Sequence, residues 1–177
     1  MAKKLLMMLI LIALVVVPAF AQTTPAPNAL TMTHRATAGT LTENEDGTVT
    51  LTLEGVSERV SFLSRGATLN AGAVELAGLA DAWATVEGLT ARAVLTIGDV
   101  TVVLTVGAPS YDVLAGTLSY TGEVVSVNGA EAAPTEFDKA SVFVQASATF
   151  IEEMGAAADE IGLRDCKQCS SEGRGGK

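Results

Sequence analysis

Thr48 to Phe62 reads TVTLTLEGVSERVSF, and its first half decides the fold class. Val49, Leu51 and Leu53 alternate with Thr48, Thr50 and Thr52. A period of two places the apolar side chains on one face of a strand and the threonines on the other. Gly55-Val56-Ser57 interrupts the run, and Val60 and Phe62 resume it. A strand with one apolar face needs other elements to cover it, so the rest of the chain is expected to supply more strand.

Upstream, Leu30-Thr31-Met32-Thr33-His34 begins a first alternating segment and Ala36 to Thr42 forms a second. Glu43-Asn44-Glu45-Asp46-Gly47 follows, and its Asp-Gly pair suits a hairpin turn because it tolerates positive φ. Gln22 to Asn28, with Pro25 and Pro27, reads as an extended approach.

Downstream, Ser64 to Gly72 is polar and broken by glycine. Leu76, Leu79, Ala80 and Trp83 then recur at i, i+3, i+4 and i+7, which predicts a short helix over Val74 to Ala84. Trp83, the only tryptophan, is expected to cap one end of the core, with carbohydrate stacking as the alternative role. Ala93 to Ile97, a Gly98-Asp99 turn and Val100 to Val106 form a tight hairpin signal. Gly107-Ala108-Pro109-Ser110 breaks the chain before a long strand, Thr117 to Val127, in which Gly122 is expected to mark a bulge. Asn128-Gly129 reads as a turn, Ala130 to Asp138 as a loop, and Ala140 to Ala146 as a final strand.

Short strands without long helical crossovers predict an all-β, antiparallel, sandwich-like domain with one short inserted helix. Phe150, Ile151, Met154, Ala157, Ala158 and Ile161 fall on one stripe, with Glu152, Glu153, Asp159 and Glu160 largely opposite. That spacing predicts one amphipathic helix from Ala148 to Ile161, packed on the domain, with a protein partner as the second reading. The tail from Arg164, RDCKQCSSEGRGGK, is polar and glycine-rich and is expected to be disordered. The expected layout is a signal peptide over 1–21, a sandwich over 22–147, the helix over 148–162 and a cysteine-containing tail over 163–177.

The first residues carry an address. Lys3 and Lys4 precede an unbroken apolar run from Leu5 to Val17, then Pro18 and Ala19-Phe20-Ala21. This is the pattern of a signal peptide cleaved between Ala21 and Gln22. The run falls short of the roughly 20 residues that span a bilayer. Gln22 is not cysteine, so no lipoprotein anchor is expected, and no later segment is apolar enough to span. The mature chain is expected in the periplasm or outside the cell. Its 9 basic residues face 20 acidic ones, a net charge of −11, because both signal-peptide lysines leave. The basic residues are scattered along the sequence, so nucleic-acid binding, which needs clustered Lys and Arg, is not expected.

Catalytic tools are few. His34 is the only histidine, and Gly55-Val56-Ser57-Glu58-Arg59 lacks the second glycine of a nucleophile elbow. A lone histidine near a strand edge is expected at the surface or as a cap, and no catalytic residue is assigned. Met32 and His34 share one face of a strand and would suit copper, yet they are two donors where a metal site wants more. Glu43, Glu45 and Asp46 lack the spacing of an EF-hand loop. No cofactor is expected. Cys166-Lys167-Gln168-Cys169 is the most specific short pattern. In an exported chain a lone cysteine pair is expected as a disulfide, within the chain or between chains. A thiol-redox or metal-handling role for Cys166 and Cys169 is the alternative.

The central stretch resembles a group of small secreted, mainly bacterial proteins of uncharacterised function. The shared features are a strand ending in Gly55-Val56-Ser57, the Phe62 to Arg65 turn, Ala71-Gly72, a short helix ending in Trp83, and an Ala-x-Leu strand at Ala93 to Leu95. The group usually has an Asp between the Ser and the Arg and a proline-rich approach to the Ala-x-Leu strand, and both are missing here. The resemblance implies a single exported domain and carries no activity with it. Taken together, the residues point to an exported, non-enzymatic module that works by surface contact, with thiol or metal chemistry at Cys166 and Cys169 as the rival.

Overall fold

The computed structural model describes residues 29–65 and 69–163. The signal peptide, its cleavage site at Ala21 and Gln22, and Cys166 and Cys169 lie outside the described residues.

Among the described residues eleven strands and three short helices follow in order: β1 Ala29–Ala36, β2 Ala38–Glu43, β3 Val49–Glu54, β4 Arg59–Arg65, β5 Leu69–Glu75, α1 Leu76–Ala84, β6 Ala91–Ile97, β7 Val100–Val106, β8 Ser110–Asp112, β9 Thr117–Asn128, β10 Glu136–Phe137, β11 Ala140–Ala146, α2 Ala148–Met154 and α3 Ala156–Glu160. The protein is an all-β, antiparallel, sandwich-like domain, as the alternating segments predict. Hydrogen-bonded neighbours run β10-β2-β3-β9-β7-β6-β11-β1-β4-β5, with β8 beside β9.

Only Thr37 separates β1 from β2. Both ends of the path from β2 round to β1 therefore belong to one stretch of chain, and the sheet curls back on itself. Thr37 stays in the ladder, its N–H donating to the Glu54 carbonyl at 2.9 Å. The second turning point is Gly122, which pairs with Val49 on β3 and with Val106 on β7. A Cβ here would run into the Thr105 carbonyl and sit 3.0 Å from the Val106 Cα, so only glycine permits this approach. The irregularity expected at Gly122 lies elsewhere. The register shifts between Val103 and Leu104, which pair with Ser126 and Val124 and leave Val125 extra.

Alternation decides what is inside. Leu30 and Met32 on β1, Leu51 and Leu53 on β3, Leu95 on β6, Val142 and Val144 on β11 are fully buried. The Asp46-Gly47 turn forms as expected: Gly47 takes φ 82°, and Asp46 Oδ1 accepts from the Thr48 N–H at 2.9 Å and hydroxyl at 2.6 Å. Those bonds, the hydroxyl's first, hold the Asp46 carboxyl below its usual range.

Four expectations need correction. The stretch read as a polar break holds the first half of β5, which pairs with β4 from Arg59–Glu75 through Arg65–Leu69. Val74 is its single buried residue, so backbone pairing and not an apolar face makes it a strand. The helix expected from Val74 consequently starts at Leu76. The C-terminal helix is two helices, parted at Gly155, whose φ of 52° and ψ of −125° are non-helical. Its apolar stripe is nevertheless as predicted: Phe150, Ile151, Met154 and Ala158 are buried, with α2 against β1 and α3 against α1. Leu163, assigned to the tail, is buried too. Among the described residues no helix is long and apolar enough to cross a membrane.

Candidate interaction surface

β1 carries the residues that matter, because its two faces do different work. Leu30, Met32, His34 and Ala36 point inward, and Thr31, Thr33 and Arg35 point outward.

The inward face ends in an aromatic cluster. His34, expected at the surface, is buried at 4% exposure, because β1 is an interior strand flanked by β11 and β4. Its Nε2 shares a 2.9 Å hydrogen bond with the hydroxyl of fully buried Tyr120. Burial lowers the His34 pKa to about 4, so the ring is neutral at neutral pH, and burial raises the Tyr120 hydroxyl above its ordinary value. Trp83 packs against Tyr120 at 6.3 Å and edge-on to Phe150 at 4.7 Å. Its indole N–H donates to the Leu89 carbonyl at 2.9 Å. Trp83 is fully buried, which corrects the stacking alternative: no ring face is left for a sugar. Met32 is buried on the same face as His34, whose Nε2 is engaged by Tyr120. Among the described residues no three His, Cys, Asp or Glu side chains gather as a metal site requires.

The outward face is built differently. β4, β1, β11, β6 and β7 lie side by side, and none of them contains an Asp or Glu. The chain as a whole holds 20 such residues. Arg35, Arg59, Arg65 and Arg92 all project from this face and are exposed. Four of the nine basic residues that are scattered in sequence thus share one face.

Register locates them. Thr33 pairs with Phe143, and Phe143 with Val94, in a row across β1, β11 and β6. Phe143 is 40% exposed in the middle of that row, because β11 spends its inward positions on Val142 and Val144. One row along, Arg92 pairs with Gln145, which pairs with Thr31. In the other direction, Arg35 and Arg59 each lie two residues beyond the Thr33–Ser61 pair. They line a cavity of about 460 Å³ together with the hydroxyl residues Thr33, Ser57 and Ser61, and with His34. Arg59 is held from two sides: its guanidinium donates to the Ala73 carbonyl at 3.1 Å and meets the Glu75 carboxylate at 3.5 Å.

Sequence reasoning missed this surface. Its signal was present as five strand segments without an acid, but nothing local says that β11 inserts between β1 and β6. Comparison of the chain with protein-family models, with curated proteins and with solved structures finds no match.

Proposed function

We propose that this chain is an exported, non-enzymatic module that works by surface contact, through the outer face of β4, β1, β11 and β6. One observation carries the reading: four exposed arginines and a half-exposed phenylalanine project from adjacent strands that contain no acid, on a chain of strongly acidic composition. Aromatic residues and arginine are enriched in contact surfaces because each offers large contact area or several donors. The histidine, by contrast, is spent inside the core on Tyr120. Export rests on the Lys3-Lys4, Leu5–Val17 and Ala19-Phe20-Ala21 pattern.

The mass of the exported protein, taken natively and after denaturation, tests this reading. We expect a chain that begins at Gln22, lighter by two hydrogens than the reduced form, with no small bound group in the native state. A native mass raised by a metal or cofactor that denaturation removes would overturn it in favour of chemistry at Cys166 and Cys169.

A further inference from the structure

We propose that the outer face docks an extended acidic polypeptide segment that carries an apolar side chain between two carboxylates. The proposal rests on the contact reading above and names the partner's chemistry.

The geometry is a diagonal with three stations. Arg35 on β1 and Arg92 on β6 lie two strands apart and four residues out of register, since Arg92 is aligned through Gln145 with Thr31. Strand spacing and rise put their Cα atoms on the order of 16 Å apart. Phe143 sits on the strand between them, in the row of Thr33, and therefore at the midpoint of the diagonal. An extended peptide rises about 3.4 Å per residue and alternates its side chains, so carboxylates four residues apart reach both arginines with the middle residue, apolar, over Phe143.

The Arg35 end is the better formed. The cavity there combines two guanidinium groups with three hydroxyl-bearing residues, Thr33, Ser57 and Ser61. Arg59 already holds a carboxylate of its own chain, Glu75, with the two side chains 61% and 69% exposed. An ion pair so open to water holds only weakly, so an incoming carboxylate displaces Glu75 at little cost. The Ala73 carbonyl keeps the Arg59 guanidinium in place during the exchange.

An apolar centre argues for polypeptide. A phosphate or sulfate polymer carries closely spaced charge with nothing to place on Phe143. A peptide can space its charges to match.

The test is a chemical-shift titration of the mature protein at low ionic strength with the synthetic peptide Asp-Ser-Leu-Ser-Asp. We expect saturable shifts on β1, β11 and β6, and about tenfold weaker binding for Arg35→Ala, Arg92→Ala or Phe143→Ala, as loss of a contact at a docking surface implies. Glu75→Gln should tighten binding. Replacing Leu by Ser in the peptide, or both Asp by Lys, should abolish it. Absence of shifts, binding indifferent to the three substitutions, or stronger binding of dextran sulfate would each overturn the proposal. So would concentration-dependent association of the protein alone that Arg92→Ala removes, since a second copy would then occupy the face. Failure of the peptide with an unladen native mass overturns the partner class alone, whereas a bound small group overturns the contact reading beneath it.

Discussion

His34 and Arg35 are neighbours on one strand, yet they belong to regions governed by opposite physics. The inward region, His34 with Tyr120, Trp83 and Phe150, is dry, and its polar groups are paired: Nε2 with the Tyr120 hydroxyl, the indole N–H with the Leu89 carbonyl. The outward region, Arg35 with Arg59, Arg92 and Phe143, is wet and leaves an aromatic ring half in water. Burial makes the first region valuable to the fold and chemically quiet. Exposure makes the second nearly irrelevant to the fold and free to meet a partner. A residue's chemistry is thus a poor guide to its role until its face is known: the lone histidine looks reactive and is structural, while the arginines look like solvation and form the surface.

Substitutions can break this contrast, and the largest effect is expected inside. Trp83→Ala removes a fully buried indole and its bond to Leu89 and should cost about 4 kcal/mol in chemical denaturation. A loss below about 1 kcal/mol would mean the cluster is not the keystone of this end of the core.

Acid should act next. The His34 pKa is lowered to about 4 in the folded chain, against 6.5 for a free histidine. Between those values the unfolded chain binds a proton that the folded chain refuses. Stability is therefore complete above pH 6.5 and falls as pH drops towards 4, by roughly 3 kcal/mol in all. His34→Gln should flatten that part of the denaturation profile. An unchanged slope in the variant would assign the acid sensitivity to other groups.

Tyr120→Phe deletes the partner of Nε2 while keeping the ring, and about 1–2 kcal/mol is expected from a buried histidine left short of a hydrogen bond. The smallest effect belongs outside. Arg35→Ala and Arg92→Ala together should shift the unfolding midpoint by no more than about 0.5 kcal/mol, as exposed side chains do. A larger loss would make the arginines part of the scaffold and blur the two regions.

Much of the scaffold was legible because alternation is a physical requirement of a one-sided strand. Val49, Leu51 and Leu53, the Ile97–Val100 hairpin and Ala140–Ala146 all stand where their periodicity places them. β5 was not legible, because Leu69 to Glu75 buries only Val74 and owes its conformation to β4. Gly155 was not legible as a break, since the apolar stripe continues across it from Met154 to Ala158. His34 was misread because its place on a central strand depends on β11, a hundred residues away in sequence. The surface failed for the same reason. Phe143 sits between two valines, and ASVFVQA alone does not say which strands lie beside it.

Site-specific photo-crosslinking in the exporting cell tests the central claim most directly. A benzophenone side chain replaces Phe143 in one version and Thr42, exposed on β2, in another. The account predicts a discrete adduct from position 143 and none from position 42. Equal labelling from both positions, or an adduct from position 42 alone, would contradict it.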